Sequence, residues 1–231
     1  MVIPVSADLS PTSSCERTHV KTSRQSIWRD LCYDVDMKWV VGIDEVGRGP
    51  VAGPVAVCAC AIPLVQYKVV EWSGLNDSKK MTVKARNEWY KKVLKLKIKH
   101  SVVYKSNIFI DNNGILLAVS SCISEALKNL NLKPKDCKIL LDGSLKAPTE
   151  YKSQKTIIRG DQKEKIISLA SVIAKVSRDR KMEAQHKKHP KYAWAQNKGY
   201  GTKEHYKAIK KYGLTSLHRK TFLTKNKIYV I

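Results

Sequence analysis

Acidic residues are scarce in this 231-residue chain: Asp and Glu total 20 against 43 Lys and Arg, a formal net charge of +23. Such an excess points to a polyanionic partner, and it makes the placing of each carboxylate informative. Cysteine pairs at metal spacing are also missing. None of Cys15, Cys32, Cys58, Cys60, Cys122 and Cys137 forms a Cys-x-x-Cys pair, and no His-x3-His follows. That argues against structural zinc and for buried free thiols in a reducing compartment. No apolar run reaches the length of a membrane span, and no signal-peptide hydrophobic region opens the chain, so a soluble cytoplasmic protein is expected. Internal repeats and low-complexity tracts are absent too. At this length and 43% hydrophobic residues, the chain can bury a real core as one large domain with at most a small appendage.

What is present is organised around Trp39 to Pro54, WVVGIDEVGRGPVAGP. An apolar run ends in Asp44 and Glu45, a Gly47-Arg48-Gly49 turn follows, and a second apolar run covers Val51 to Ile62. This reads as a β-hairpin with its chemistry at the bend. Residues 1–36 read as a poorly ordered extension in which Ser26 to Tyr33 has the makings of a short helix, and Met37 is an alternative start. Val69 to Trp72 suggests a short edge strand. Thr82 caps a basic helix reaching about Lys95. A strand over Ile98 to Tyr104 and a helix over Ile115 to Leu130 follow. Short strands end at Leu141 and Ile158, and a long helix runs from about Lys163 to Gln185. Ile166, Ala170, Ile173 and Val176 form its apolar stripe. Residues 37–188 are thus expected to be an α/β domain, a mixed sheet covered by helices. Residues 189–231, with a helix over Lys203 to Lys211, form a small basic helical C-terminal subdomain.

Acids arrive next to glycine at three strand ends: Asp44 with Glu45, Asp142 and Asp161. Open α/β sheets place ligands at that edge. Four gathered carboxylates repel unless cations bind among them, and oxygen-only ligands suit Mg²⁺ or Mn²⁺. Two such ions about 4 Å apart serve phosphodiester hydrolysis. Other readings stand beside this one. Asp161 to Glu164 matches a capping box, and Asp142-Gly143 matches a plain turn. Arg48 pairs as readily with Glu45 as with a ligand, and Asp179 fits a helix ion pair. Lys79 and Lys80, after a turn, suit a phosphate grip or a solvated face. His205 and His218 suit a structural role.

Taken together and in order, several motifs resemble the ribonuclease HII family of bacteria: GIDEVGRGPVAGP, LNDSKKMT, LLDG, RGDQKEKIISLASVIAKVSRDRKM, then NKGYGTKEHYKAIKKYG and LHRKTF. The resemblance covers roughly residues 38 to 222. It implies an RNase H-like fold and endonucleolytic cleavage of RNA in RNA–DNA hybrids, including incision 5′ to a single ribonucleotide in duplex DNA. The products would be a 3′-hydroxyl and a 5′-phosphate. By motif match, Asp44, Glu45, Asp142 and Asp161 would hold two Mg²⁺ or Mn²⁺ ions. Gly47, Arg48 and Gly49 would meet the backbone and the ribose 2′-hydroxyl, with Lys79 and Lys80 on phosphates and Tyr200 at the RNA–DNA junction. A monomer is expected. Ser168-Leu169-Ala170-Ser171 departs from the family's Ala-Ala-Ala-Ser, which concerns packing. The related ribonuclease HIII type lacks Arg in the Gly-Arg-Gly turn and carries a larger N-terminal domain, so type HII is preferred. Another RNase H-like nuclease, such as a resolvase or integrase core, and a non-catalytic basic nucleic-acid-binding protein are the alternatives.

Overall fold

The structure is a computed structural model, and it describes residues 37–224; the expected helix at Ser26 to Tyr33, Cys15 and Cys32 lie outside that range. Five strands form one sheet: β1 (Trp39–Val46), β2 (Val55–Pro63), β3 (Lys99–Lys105), β4 (Cys137–Asp142) and β5 (Gln154–Ile157), in the order β3-β2-β1-β4-β5. β1, β2 and β3 run antiparallel, whereas β4 and β5 run parallel to β1. The sheet is therefore mixed, and the carboxyl ends of β1, β4 and β5 share one edge.

The helices are α1 (Leu64–Val69), α2 (Val83–Lys95), α3 (Asn107–Asn129), α4 (Gly160–Lys163), α5 (Lys165–Lys188), α6 (Trp194–Asn197), α7 (Lys203–Tyr212) and α8 (Lys220–Thr224). α3 covers one face. There Val41 and Ile43 of β1, Val57 and Ala59 of β2, and Ile139 and Leu141 of β4 meet Ala118, Cys122, Ile123 and Ala126 in the main core. Side chains alternate along a strand, so Gly42, Asp44, Cys58, Cys60, Leu140 and Asp142 belong to the opposite face, which α5 covers. This face is lined with small residues for a reason. A Cβ on Gly42 would stand 2.4 Å from the main-chain carbonyl atoms of Ile166, so the first turn of α5 rests directly on β1.

Four local expectations are revised. Val69 to Trp72 is no strand: Pro63 ends β2, α1 begins at once, and Trp72 stacks on Trp89 with ring centroids 6.1 Å apart. α3 starts at a Ser106 cap rather than after Asn113. The expected start marks a break instead, for Gly114 adopts φ 79°, ψ 159° and divides the helix. The expected long helix is present as α5 but begins at Lys165, just past the expected start near Lys163, because Glu164 (φ −117°, ψ 120°) separates it from α4. That break removes the capping box: Asp161 lies inside α4, and the N-terminal position of α5 is Glu164, whose side chain makes no capping bond. Thr82 does cap α2, accepting from the Ala85 N–H at 3.2 Å. Cys58, Cys60, Cys122 and Cys137 are free and buried, as expected.

The C-terminal helices build a second apolar cluster from Tyr192, Trp194, Ala208, Ile209 and Leu223, and it takes in Val51, Ala52 and Met182. At its centre the two histidines are wired together. Thr215 N–H donates to His218 Nδ1 at 2.9 Å, and His218 Nε2 lies 3.2 Å from His205 Nε2. His205 Nδ1 lies 2.8 Å from the Tyr200 carbonyl, and Trp194 Nε1–H donates to His205 Nε2 at 3.0 Å. Two accepting ring nitrogens require both rings to be neutral, with the remaining N–H groups donating along the chain.

Burial, then the nearby His205, pushes His218 down to about 4, and burial also lowers His205. An unfolded histidine titrates near ~6.5, so the unfolded chain gains protons first as the pH falls. The histidine contribution to stability is complete above about pH 6.5 and should be lost as pH falls towards about 4. Melting temperatures measured across that window should drop more steeply for the native protein than for His218→Gln. Parallel curves would show that the pair titrates as ordinary histidines.

Candidate active site

Strand register assembles the acids. Ile43 lies beside Leu141 in the parallel β1–β4 pair, so Asp44 and Asp142 follow as neighbours on the α5 face. Asp44 is buried. Its carboxyl is pushed well above the ordinary range by burial first and by the Glu45 charge next, with Asp142 adding to both. Glu45 is raised by burial and relieved by Arg48, whose Nη1 donates to Glu45 Oε1 at 3.2 Å. Asp161 is raised by burial and by the charges of Asp142 and Asp77, with Lys79 opposing them. The four acids thus share one edge and one field.

Neighbouring loops hold these groups in place. Asp142 Oδ1 accepts the Gly160 N–H at 2.6 Å, tying the end of β4 to the turn that carries Asp161. Asp44 Oδ1 accepts the Glu45 N–H at 2.8 Å. The Ser171 hydroxyl of α5 also bonds Asp44 and partly offsets its raised titration, and Ser171 Oγ stands 2.9 Å from Ser78 Oγ. Ser78 belongs to the Asp77–Lys80 turn, where Asp77 Oδ1 accepts the Lys79 N–H at 2.9 Å. Lys79 and Lys80 are exposed beside the acid edge, Lys79 close enough for its charge to act on Asp161. Asp179 is an ion-pair partner, 2.9 Å from Lys175.

The donor set is oxygen only, buried or half-buried, and mutually repelling, which is chemistry that fits Mg²⁺ or Mn²⁺. It is not a closed cage. Among the described residues no three His, Cys, Asp or Glu side chains form a ready-made ligand group. One oxygen each of Asp44, Glu45 and Asp142 is engaged in the hydrogen bonds above, so a cation would compete with those bonds or use the second oxygen of each carboxylate.

The residues expected to meet substrate lie around the turn. Gly47 has φ +89°, and a Cβ there would lie 2.2 Å from Arg178 Nε. A Cβ on Gly49 would lie 3.9 Å from the ring of Tyr200, which is 41% exposed. Tyr200 is brought there by main-chain bonds: the Gly199 carbonyl accepts the N–H groups of Val51 (2.9 Å) and Ala52 (3.2 Å). The sequence reading passed over two residues, Arg178 and Arg219, both fully buried beneath this turn. A signal for Arg178 existed: it lies four residues from both Ala174 and Met182, on the buried stripe of α5.

Known structures share this architecture. A crystal structure of the ribonuclease H2 from Pyrococcus horikoshii superposes with TM-score 0.65 at 26% identity, covering 82% of this chain and 96% of that one. A ribonuclease HIII structure in complex with Mn²⁺ (Bst-RNase HIII) superposes at TM-score 0.63 with 16% identity, over 84% and 70% of the two chains. The fold is RNase H-like, that of a nuclease class. A family model described as Ribonuclease HII matches residues 41–225. The Ribonuclease HII of Wolbachia pipientis is 45% identical over 184 residues, 79% of this chain and 89% of the relative. That of Campylobacter concisus is 42% identical over 192 residues, 83% and 97%. The chain belongs to the ribonuclease HII family. It is a ribonuclease H hydrolase, a metal-dependent endonuclease active on RNA–DNA hybrids. No helix among the described residues is long and apolar enough to cross a membrane.

Proposed function

We propose that this enzyme incises duplex DNA 5′ to a single embedded ribonucleotide, as well as cutting longer RNA–DNA hybrids, and leaves a 3′-hydroxyl and a 5′-phosphate. The observation that carries the proposal is the pairing of Gly49 with Tyr200 across the turn that follows Asp44 and Glu45. An exposed aromatic ring against a glycine turn offers a flat surface to a sugar, and exposed amides beside it suit a 2′-hydroxyl, the group that marks RNA. Asp44, Glu45, Asp142 and Asp161 would hold two divalent ions. When bound, those ions supply Lewis-acid activation of water and neutralise charge at the phosphodiester. Gly160 N–H and Ser171 orient Asp142 and Asp44, and Arg48 steadies Glu45. Lys79 and Lys80 would grip phosphates beside the cut, in an interaction that salt weakens.

A duplex with one ribonucleotide, offered with Mg²⁺, with Mn²⁺ or with EDTA, should be nicked only when metal is present. Cutting of an all-DNA duplex would instead indicate a nuclease that ignores ribose. Tyr200→Ala should reduce kcat/KM on the single-ribonucleotide duplex by about 10-fold or more, with a smaller loss on a long hybrid. Equal losses on both would remove Tyr200 from junction reading.

A further inference from the structure

Each buried arginine uses its guanidinium on main-chain carbonyls, five of the six in the Gly47–Pro54 segment and one at Lys198. Arg219 donates from Nε to Gly53 O (3.0 Å), from Nη1 to Arg48 O (2.8 Å) and from Nη2 to Gly47 O (2.7 Å). Arg178 donates from Nε to Pro54 O (2.9 Å), from Nη1 to Lys198 O (2.9 Å) and from Nη2 to Ala52 O (3.4 Å). Neither makes an ion pair with the carboxylate of a described residue. Two buried cations with no counter-ion among the described residues are costly, so carbonyl dipoles stand in for that charge.

The geometry of a trans peptide then fixes what faces outward. When the Gly47 carbonyl points in towards Arg219, the N–H of Arg48 in the same peptide unit points away, and the Arg48 carbonyl does the same for Gly49 N–H. Among the described residues no acceptor is found for either N–H, and Gly49 is exposed. We propose that Arg219 and Arg178 are positioning residues for substrate recognition: Arg219 draws the Gly47 and Arg48 carbonyls inward and so holds the Arg48 and Gly49 amides outward as donors to the sugar–phosphate backbone of the nucleic acid, while Arg178 fixes Ala52 and Pro54 at the far end of the turn. The inference rests on the turn being the substrate-reading loop. It also accounts for Gly47: any side chain there would occupy the space of the Arg178 guanidinium.

Lysine keeps the charge but offers its donors from one point, and it cannot reach three carbonyls with three separate nitrogens. On a long RNA–DNA hybrid, Arg219→Lys and Arg178→Lys should each raise KM about 10-fold or more, with kcat within about two-fold of the native value. Leu223→Ala, which loosens the apolar cluster shared with Val51 and Ala52 but removes none of the arginine hydrogen bonds to the turn, should lower the melting temperature and leave KM unchanged. Unchanged KM in the lysine variants, or an equal rise in Leu223→Ala, would overturn the assignment. A second measurement needs no variant. In NMR spectra of the native protein titrated with hybrid, the Arg48 and Gly49 amide signals should shift, and silent amides would overturn the assignment equally. A KM effect on hybrids without any nicking at single ribonucleotides would count against the incision reading alone.

Discussion

Asp142→Asn is expected to lower kcat by about three orders of magnitude or more while leaving hybrid affinity within a few-fold of the native value. The substitution removes a charge and keeps the shape. An Asn side-chain oxygen still accepts the Gly160 N–H, so the turn bearing Asp161 stays in place. Binding draws on the basic surface, which is untouched. Hybrid affinity measured by fluorescence anisotropy, beside single-turnover cleavage, separates the two effects. Loss of folding and binding together would identify Asp142 as a structural residue.

The same field predicts an opposite effect on stability. Asp44 is buried near two other carboxylates, and its charged form is disfavoured by burial and by Glu45. Its folded titration lies above the unfolded one, so the ionised group costs stability at neutral pH, a cost that shrinks as pH falls below the folded value and is gone below the unfolded one. Asp44→Asn should therefore raise the melting temperature of the metal-free protein, by about 1–2 kcal/mol of stability, even though activity is lost. Added Mn²⁺ should stabilise the native protein more than the variant. A metal-free variant that melts lower would mean that the carboxylate is already well compensated.

The second large effect is expected at Gly42→Ala. A new methyl would meet main-chain atoms of Ile166 at 2.4 Å and Ile167 N at 2.7 Å, and backbone cannot turn aside as a side chain can. α5 must lift from β1, at a cost of about 3 kcal/mol, which is roughly 6–12 °C in melting temperature for a domain of this size. Activity should fall at temperatures where the variant remains folded, because α5 carries Ser171 against Asp44. A variant that melts and cuts like the native protein would show that the contact relaxes freely.

Much of this was legible in the residues, and what was not has physical causes. Dense apolar runs located β1, β2 and β4, because a strand buried on both faces is apolar along its length. Asp44, Asp142 and Asp161 could be gathered in advance since parallel strands end at a common edge. The capping-box alternative for Asp161 fails because φ and ψ at Glu164, not the spacing of two acids, decide where α5 begins. Val69 to Trp72 misled for a similar reason: the Trp72 ring is held by Tyr67 and Trp89, contacts that no local pattern encodes. Arg178 and Arg219 escaped notice because a charged residue is ordinarily read as solvated. Their burial depends on carbonyls supplied from segments 124 to 172 residues distant in sequence.

Those long separations bear on the order in which the enzyme becomes competent as it is made. A nascent chain acquires Asp44, Glu45 and the recognition turn within its first quarter, yet the main-chain partners of Val51 and Ala52 lie at Gly199 and the final clamp at Arg219. The sheet and all four acids can be in place, with Arg178 on Ala52 and Pro54, while Gly47 and Arg48 still lack the Arg219 clamp. Ribosome-bound chains stalled after residue 188 should therefore expose Gly47–Pro54 to proteases that spare the completed protein. Sensitivity should vanish once Arg219 has emerged. If the turn reads ribose as proposed, telling ribose from deoxyribose would be among the last properties the chain gains.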